Sequence, residues 1–280
     1  MKYNTLAIVG PSTSGKTDAA IAIAKKHNGA LICCDMVQIW KGYEIGSGMP
    51  SLEEVQGIPV YLYGVLDPTQ GSRLISKKDY YNLASQVRRK IRQAKQLPVF
   101  EGCSSNYTRV LLGDPNPPKF KYQKPFYPAL EYGEIPIFVL MPSLDGLYRR
   151  LEKRLIKFWE QGVVEEVQRL LGRNPIVKRK RAAPMKAGII YNHLSRYLCE
   201  NPDLLDKKLD NPTKAKIHKD LHDQIVYAWE KNIRQQSANF EALFDEFSES
   251  PLIWIDVDPE NPGQTILQLE DLVKELVSAA

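Results

Sequence analysis

Gly10-Pro11-Ser12-Thr13-Ser14-Gly15-Lys16-Thr17 fits the phosphate-loop pattern G-x-x-x-x-G-K-[ST]. A glycine-rich turn that opens a helix aims successive backbone N–H groups at one point. Lys16 adds a positive charge there, and Thr17 a hydroxyl suited to Mg²⁺. Such a point takes a phosphate chain, which can then be transferred, hydrolysed or released. Asp35 follows the next apolar run, Ala30 to Cys34. A carboxylate beside a phosphate site can bind Mg²⁺ or act as a base, and the same residue type also caps turns and helices. Glu101 and Ser104 follow a further apolar run, Leu97 to Glu101. His218 and His222, four apart on a predicted helix, lack the glutamate of a zinc-protease motif.

These groups meet only if the elements behind them are parallel. Thr5 to Val9 reads as a buried strand and Asp18 to Lys26 as a helix, so the chain begins strand, phosphate loop, helix, strand. A right-handed crossover sets the strands parallel and brings Asp35 out beside the loop. Gln38 to Pro50 has too many glycines for a regular element and suits a loop folded over a ligand. Val60 to Tyr63 reads as a strand, Asp67 to Gly71 as a turn and Lys77 to Gln96 as an amphipathic helix with Arg88, Arg89, Lys90 and Arg92 mostly outward. A helix runs from Ser105 through Leu112, and Gly113 to Ile135 is an irregular, proline-rich connector. Pro136 to Met141 is a strand. Leu144 to Leu171 is largely helical and offers Arg149, Arg150, Lys153, Arg154 and Lys157, one of which can reach back to a phosphate. Lys178 to Arg181 is a basic cluster, open equally to an anionic partner and to solvent. Helices follow to Glu246, broken at Asn211-Pro212, then a strand at Leu252 to Val257 and a helix at Thr265 to Val277.

The expected fold is α/β, a P-loop NTPase-like parallel sheet flanked by helices, with a helical C-terminal region. It divides into a core over 1–142, a helical region over 143–250 forming the acceptor side, and a strand and helix over 251–280 returning to the core. With 43% hydrophobic and 25% charged residues the 280-residue chain is ordinary for a globular protein, and its net charge of +5 fits an anionic partner without requiring one. No apolar run approaches the roughly 18 residues of a membrane helix, and the first strand starts too early to leave room for a cleaved signal. A cytoplasmic monomer is expected. Cys33, Cys34, Cys103 and Cys199 show neither metal spacing nor a disulfide framework.

In order along the chain, the phosphate loop, Cys34-Asp35-Met36-Val37-Gln38, Ile45-Gly46-Ser47-Gly48-Met49-Pro50, Asp67-Pro68-Thr69, Pro98 to Ser105 and Gln161-Gly162-Val163-Val164-Glu165-Glu166-Val167 resemble the adenylate/tRNA isopentenyltransferase family. Its members attach a five-carbon prenyl group to N6 of adenine. The tRNA-modifying branch carries an anticodon-gripping insertion where this chain has only Gly113 to Ile135. That short connector, together with Glu101-Gly102, Ser51 to Val55 and Arg234-Gln235-Gln236, is similar to the compact bacterial adenylate branch, whose acceptors are AMP, ADP or ATP and whose product is a cytokinin precursor. The segment around Pro251 to Asp256 is closer to the tRNA branch. Cys103 stands in place of a usual glycine, and Met49 in place of a usual basic residue.

The resemblance implies that dimethylallyl diphosphate, or a hydroxylated analogue, lays its diphosphate on Gly10, Ser12, Thr13, Ser14, Gly15, Lys16 and Thr17, with Arg154 and a Thr17-bound Mg²⁺ offsetting its charge. Asp35 then orients and deprotonates the N6 amine, Ser104 helps position the reactants, and Ser47 and Gln38 join Asp35 around the acceptor. Asn232 stands where some compact relatives carry a histidine that favours a hydroxylated donor. A free adenine nucleotide is the expected acceptor. The alternatives are tRNA, an ATP-dependent small-molecule kinase using Asp35 toward a hydroxyl, and an RNA-binding protein on a residual nucleotide fold.

Overall fold

The computed structural model of the protein describes residues 3–69, 75–113, 135–172, 183–205, 207–248, 252–258 and 261–276. The connector over 114–134, the basic cluster Lys178 to Arg181 and the Gln70-Gly71 end of the expected turn lie outside them.

Short runs of apolar residues form the strands β1 (Leu6–Val9), β2 (Gly29–Cys33), β3 (Val60–Tyr61), β4 (Leu97–Gly102), β5 (Ile137–Pro142) and β6 (Leu252–Val257). They make one parallel sheet in the order β3-β2-β4-β1-β5-β6. Every residue of β1, β2, β4 and β5 is buried, which is why these strands read as unbroken apolar runs and not as alternating ones. Side chains alternate across the sheet nonetheless: Ala7 and Val9 enter one core, Leu6 and Ile8 the other.

On one face lie α1 (Lys16–Lys26) and the C-terminal helix Pro262–Leu276, joined by Ala20, Ile23, Leu269 and Val273 and by a Lys26–Glu270 ion pair. The other face carries α3 (Lys77–Gln93), α4 (Ser105–Leu111), α5 (Leu144–Glu160), α6 (Val163–Gly172) and the later helices up to Glu246; a further short helix, α2 (Leu52–Val55), starts at a Ser51 capping box. Asn211–Glu246 is a single helix of 36 residues, whose Asp210 cap and Pro212 fix its start. Its buried residues Ile217, Leu221, Ile225, Trp229, Ile233, Ser237, Phe240 and Leu243 form one stripe, so it packs along its whole length.

Two expectations change. The helix expected over Leu144 to Leu171 is two helices, because Gly162 takes φ +90°, where a side chain is strained. Arg88 turns inward and is 4% exposed; its Nε donates to Thr5 Oγ1 at 2.7 Å and its Nη2 to Asn4 Oδ1 at 3.0 Å, so a guanidinium reaches back to the entry of β1. Among the described residues no helix is long and apolar enough to cross a membrane.

Candidate active site

The register of the sheet brings the chemistry-bearing residues to one edge. Val9 pairs with Gly102 and Cys33 with Glu101, so the loop after β1, Asp35 after β2 and Cys103-Ser104 after β4 leave the sheet side by side. The approach is close enough to need a glycine: a Cβ on Gly102 would lie 2.1 Å from Cys34 O.

α5 locks the phosphate loop from the side. Thr13 Oγ1 donates to Leu147 O at 3.0 Å, and Arg150 Nη1 donates to Thr13 O at 3.3 Å. Lys16 is 7% exposed and its Nζ folds back to Pro11 O at 3.2 Å, while the buried Ser14 Oγ has no partner among the described residues. Ser12 N donates to Gln236 Oε1, 2.8 Å away on the long helix. Thr17 Oγ1 donates to Glu101 Oε1 at 2.7 Å, and Tyr63 OH to Glu101 Oε2 at 2.7 Å. Burial, then the Glu101 charge, pushes the Tyr63 hydroxyl well above its usual pKa, so it remains a donor. A hydroxyl and a carboxylate at the end of a phosphate loop are hard oxygen donors that fit Mg²⁺ completed by phosphate oxygens. No cluster of three or more His, Cys, Asp or Glu suited to a metal occurs among the described residues, and His218 packs its ring 4.7 Å from that of Trp159.

Asp35 is 8% exposed. Its Oδ1 accepts from Val37 N at 2.7 Å and Gln38 N at 3.1 Å; its Oδ2 accepts from Cys103 Sγ at 2.7 Å. Burial first, and then the Asp35 charge, pushes the Cys103 thiol far up, so it stays protonated. Ser104 caps α4 through Tyr107 N at 3.2 Å, beside Cys103. Gln38 Nε2 donates to Ser47 O and Gly48 O, both at 3.1 Å, and Arg154 Nη2 donates to Ser47 O at 3.1 Å. Asn232 is half-buried, one helical turn before Gln236.

A cavity of about 1120 Å³ opens over the loop. Lys16 and Thr17 form its floor, and Arg150, Lys153, Arg154 and Lys157 form a cationic wall along one face of α5. Burial pulls the Arg154 guanidinium below its usual pKa, while the Glu101 and Asp35 carboxylates pull it back up. Arg154 meets the Ser47-Gly48 turn, and Arg150 is the guanidinium against the loop itself. Asp35 and Ser104 are not among the residues that line the cavity.

Sequence reasoning did not single out Arg150, Gln236 as a loop contact, or Glu166. The last is 1% exposed and reaches from α6 into the loop before Pro50. It accepts from Glu44 N at 3.1 Å, Ile45 N at 2.8 Å, Gly46 N at 3.0 Å and Tyr191 OH at 2.6 Å. The only signal for it was its position in the Gln161 to Val167 motif.

The isopentenyl transferase family model matches residues 3–122 and the IPP transferase model residues 117–236. A tRNA dimethylallyltransferase of Rhizobium etli is 30% identical over 166 residues, 56% of this chain and 55% of that protein. One from Halalkalibacterium halodurans is 29% identical over 153 residues, 55% of this chain and 46% of that protein. The chain thus spans about half the length of these curated relatives. The crystal structure of a tRNA isopentenylpyrophosphate transferase from Staphylococcus epidermidis has the same fold, with a TM-score of 0.71 at 18% identity over 97% of this chain and 99% of that one. The two matches overlap at residues 117–122 and together run from residue 3 to 236, taking in the loop, Asp35, Glu101, Ser104 and the α5 cations, and over that span the chain is similar first to isopentenyl transferases and then to IPP transferases.

Proposed function

We propose that this chain transfers a dimethylallyl group from dimethylallyl diphosphate to N6 of an adenine, with tRNA as its acceptor. The observation that carries the reading is Asp35, whose carboxylate is fixed by backbone N–H groups on one oxygen and stands at the same sheet edge as the phosphate loop. The names of its relatives favour tRNA over the free nucleotide that the short connector led the sequence reading to expect.

The N–H groups of Gly15, Lys16 and Thr17 at the start of α1, the Lys16 ammonium and Arg150 receive the diphosphate, Ser12 N being taken by Gln236, and Arg154 flanks it from one turn further along the same α5 wall. Their charge opposes the negative charge that grows on the leaving oxygen as the C1–O bond breaks. Mg²⁺ held by Thr17 and Glu101 would supply further Lewis-acid charge to those oxygens. Adenine N6 is a weak nucleophile because its lone pair is delocalised, so Asp35 orients the amine toward C1 and takes its proton. Ser104 lies next to that path at the cap of α4. Gln38, whose Oε1 is buried without a partner among the described residues, and Ser47 line the acceptor approach.

A second reading keeps AMP, ADP or ATP as acceptor. Only Gly113 to Ile135 stands where the tRNA branch carries its anticodon-gripping insertion. Purified protein incubated with dimethylallyl diphosphate, Mg²⁺ and either unmodified tRNA, AMP or ATP separates the two by mass spectrometry. One prenyl group added to tRNA is expected. Product on AMP or ATP alone restores the free-nucleotide reading, and no product on any acceptor overturns both.

A further inference from the structure

Asp35 does not stand alone at the sheet edge. Its Oδ1 is taken by two backbone N–H groups, so Oδ2 is the oxygen available to an incoming amine, and Oδ2 is met by the Cys103 thiol at 2.7 Å. The thiol is met in turn by Gln236 Nε2 at 3.5 Å. The other end of that amide, Oε1, accepts from Ser12 N in the phosphate loop at 2.8 Å. The direction of the chain is fixed chemically. A backbone N–H can only donate, so Gln236 must turn Oε1 toward Ser12 and its NH₂ toward sulfur. The thiol, held protonated by burial, accepts from that NH₂ and donates its S–H in a hydrogen bond to Asp35 Oδ2.

We infer that Gln236 and Cys103 are positioning residues that hold the Asp35 carboxylate in register with the phosphate loop, through the chain Ser12 N–H to Gln236, Gln236 to Cys103, and Cys103 to Asp35. The inference rests on the prenyl-transfer reading for its catalytic consequence, and on geometry alone for the chain itself. The long helix supplies a side chain that reads the loop and the base at once, although neither neighbours it in sequence. Bond formation between C1 and N6 needs the amine within about 3–3.5 Å of a carbon fixed by the loop, so a device that sets the loop-to-carboxylate distance acts on the rate more than on donor binding.

Two measurements test this. In the first, the intact protein is treated with iodoacetamide and alkylation is mapped by mass spectrometry. Gln236→Leu should speed alkylation of Cys103 at least threefold, with exposed Cys199 unchanged and Cys33 and Cys34 still protected. An unchanged Cys103 rate, or Cys33 and Cys34 reacting as well, overturns the chain in favour of a general loosening.

In the second, steady-state transfer is compared for Gln236→Leu, Cys103→Ala, Cys103→Ser and the Gln236→Leu/Cys103→Ala double variant. Each single loss should lower kcat about five- to tenfold while leaving KM for dimethylallyl diphosphate within about twofold. Cys103→Ser should recover at least half of kcat, and the double variant should be no worse than the poorer single one. Multiplying losses, or a serine as poor as alanine, overturn the inference while wild-type transfer stands. Wild-type protein inactive on every acceptor, with the alkylation result as expected, overturns the prenyl-transfer reading and leaves the chain in place.

Discussion

Two loops of this chain aim consecutive backbone N–H groups at one point, and they differ in what meets those groups. The loop before Pro50 turns the N–H groups of Glu44, Ile45 and Gly46 onto Glu166, a carboxylate sent in from α6 and held from its other side by Tyr191. The phosphate loop ends at Gly15 on the N-terminus of α1, with Lys16 and Thr17 on the floor of a cavity and cations on the facing wall. One cradle is closed by an internal anion and is therefore structural. The other has cations in excess and suits an anion from outside. The closed loop serves the open one, since Ser47 O and Gly48 O, just past the Glu166 clamp, are the acceptors that Gln38 and Arg154 grip.

The difference predicts opposite phenotypes. Lys16→Ala should cut prenyl transfer by about 10²-fold or more, because it removes a preorganised charge from the leaving group. Its thermal midpoint should stay within a degree or two of wild type, since among the described residues Lys16 Nζ bonds Pro11 O alone. A large loss of stability with unchanged activity would reverse the roles assigned to the two loops. Glu166→Ala should do the converse. Three N–H groups and a buried tyrosine hydroxyl would lose their acceptor, costing about 3 kcal/mol in a urea titration.

How much of this was legible depends on distance along the chain. The phosphate loop is contiguous, and parallel β-strands deliver the residues beyond their carboxyl ends to one edge, so Lys16, Thr17, Asp35 and Glu101 were readable as neighbours before any coordinates. Gln236 meets Ser12 across 224 positions and Glu166 meets Ile45 across 121. No local periodicity carries such pairings, because they depend on how α6 and the long helix dock. Arg88 was misjudged for a related reason: in a basic run on an amphipathic helix, polarity says outward, whereas Thr5 and Asn4, 83 and 84 positions away, offer it acceptors on the inner side. The break at Gly162 was local and still missed, since a glycine within an apolar-periodic run can be tolerated in a helix at a cost of about 1 kcal/mol relative to alanine.

The closed cradle should also leave a mark on pH dependence. Burial pushes the Glu166 carboxyl above its ordinary pKa, and the Gly46 and Ile45 N–H groups and Tyr191 only partly offset this. A carboxyl raised in the folded state binds its proton more tightly there than in the unfolded chain. Its contribution to stability is therefore full below the unfolded pKa and is lost as pH climbs through the folded one. Glu166→Gln removes that titration. Urea midpoints measured from pH 4 upward should show wild type losing ground relative to Glu166→Gln as pH rises, and a constant difference would mean the carboxyl titrates as if exposed.

The smallest effect is expected at the outer end of the α5 cationic wall. Lys157 lines the cavity, yet its Nζ sits 3.1 Å from Glu54 in a pair whose side chains are 56% and 47% exposed. Exposed pairs of this kind contribute about 0.5 kcal/mol or less, so Lys157→Ala should leave the urea midpoint nearly unchanged. What it can alter is the open cradle's hold on a polyanion. If tRNA is the acceptor and one of its phosphates passes this rim, the slope of log Kd against log salt should fall by about one in Lys157→Ala, with affinity for dimethylallyl diphosphate unaffected. An unchanged slope would confine the anion-gripping part of the wall to Arg150, Lys153 and Arg154, and would route the acceptor's backbone past the other side of the Ser47-Gly48 turn.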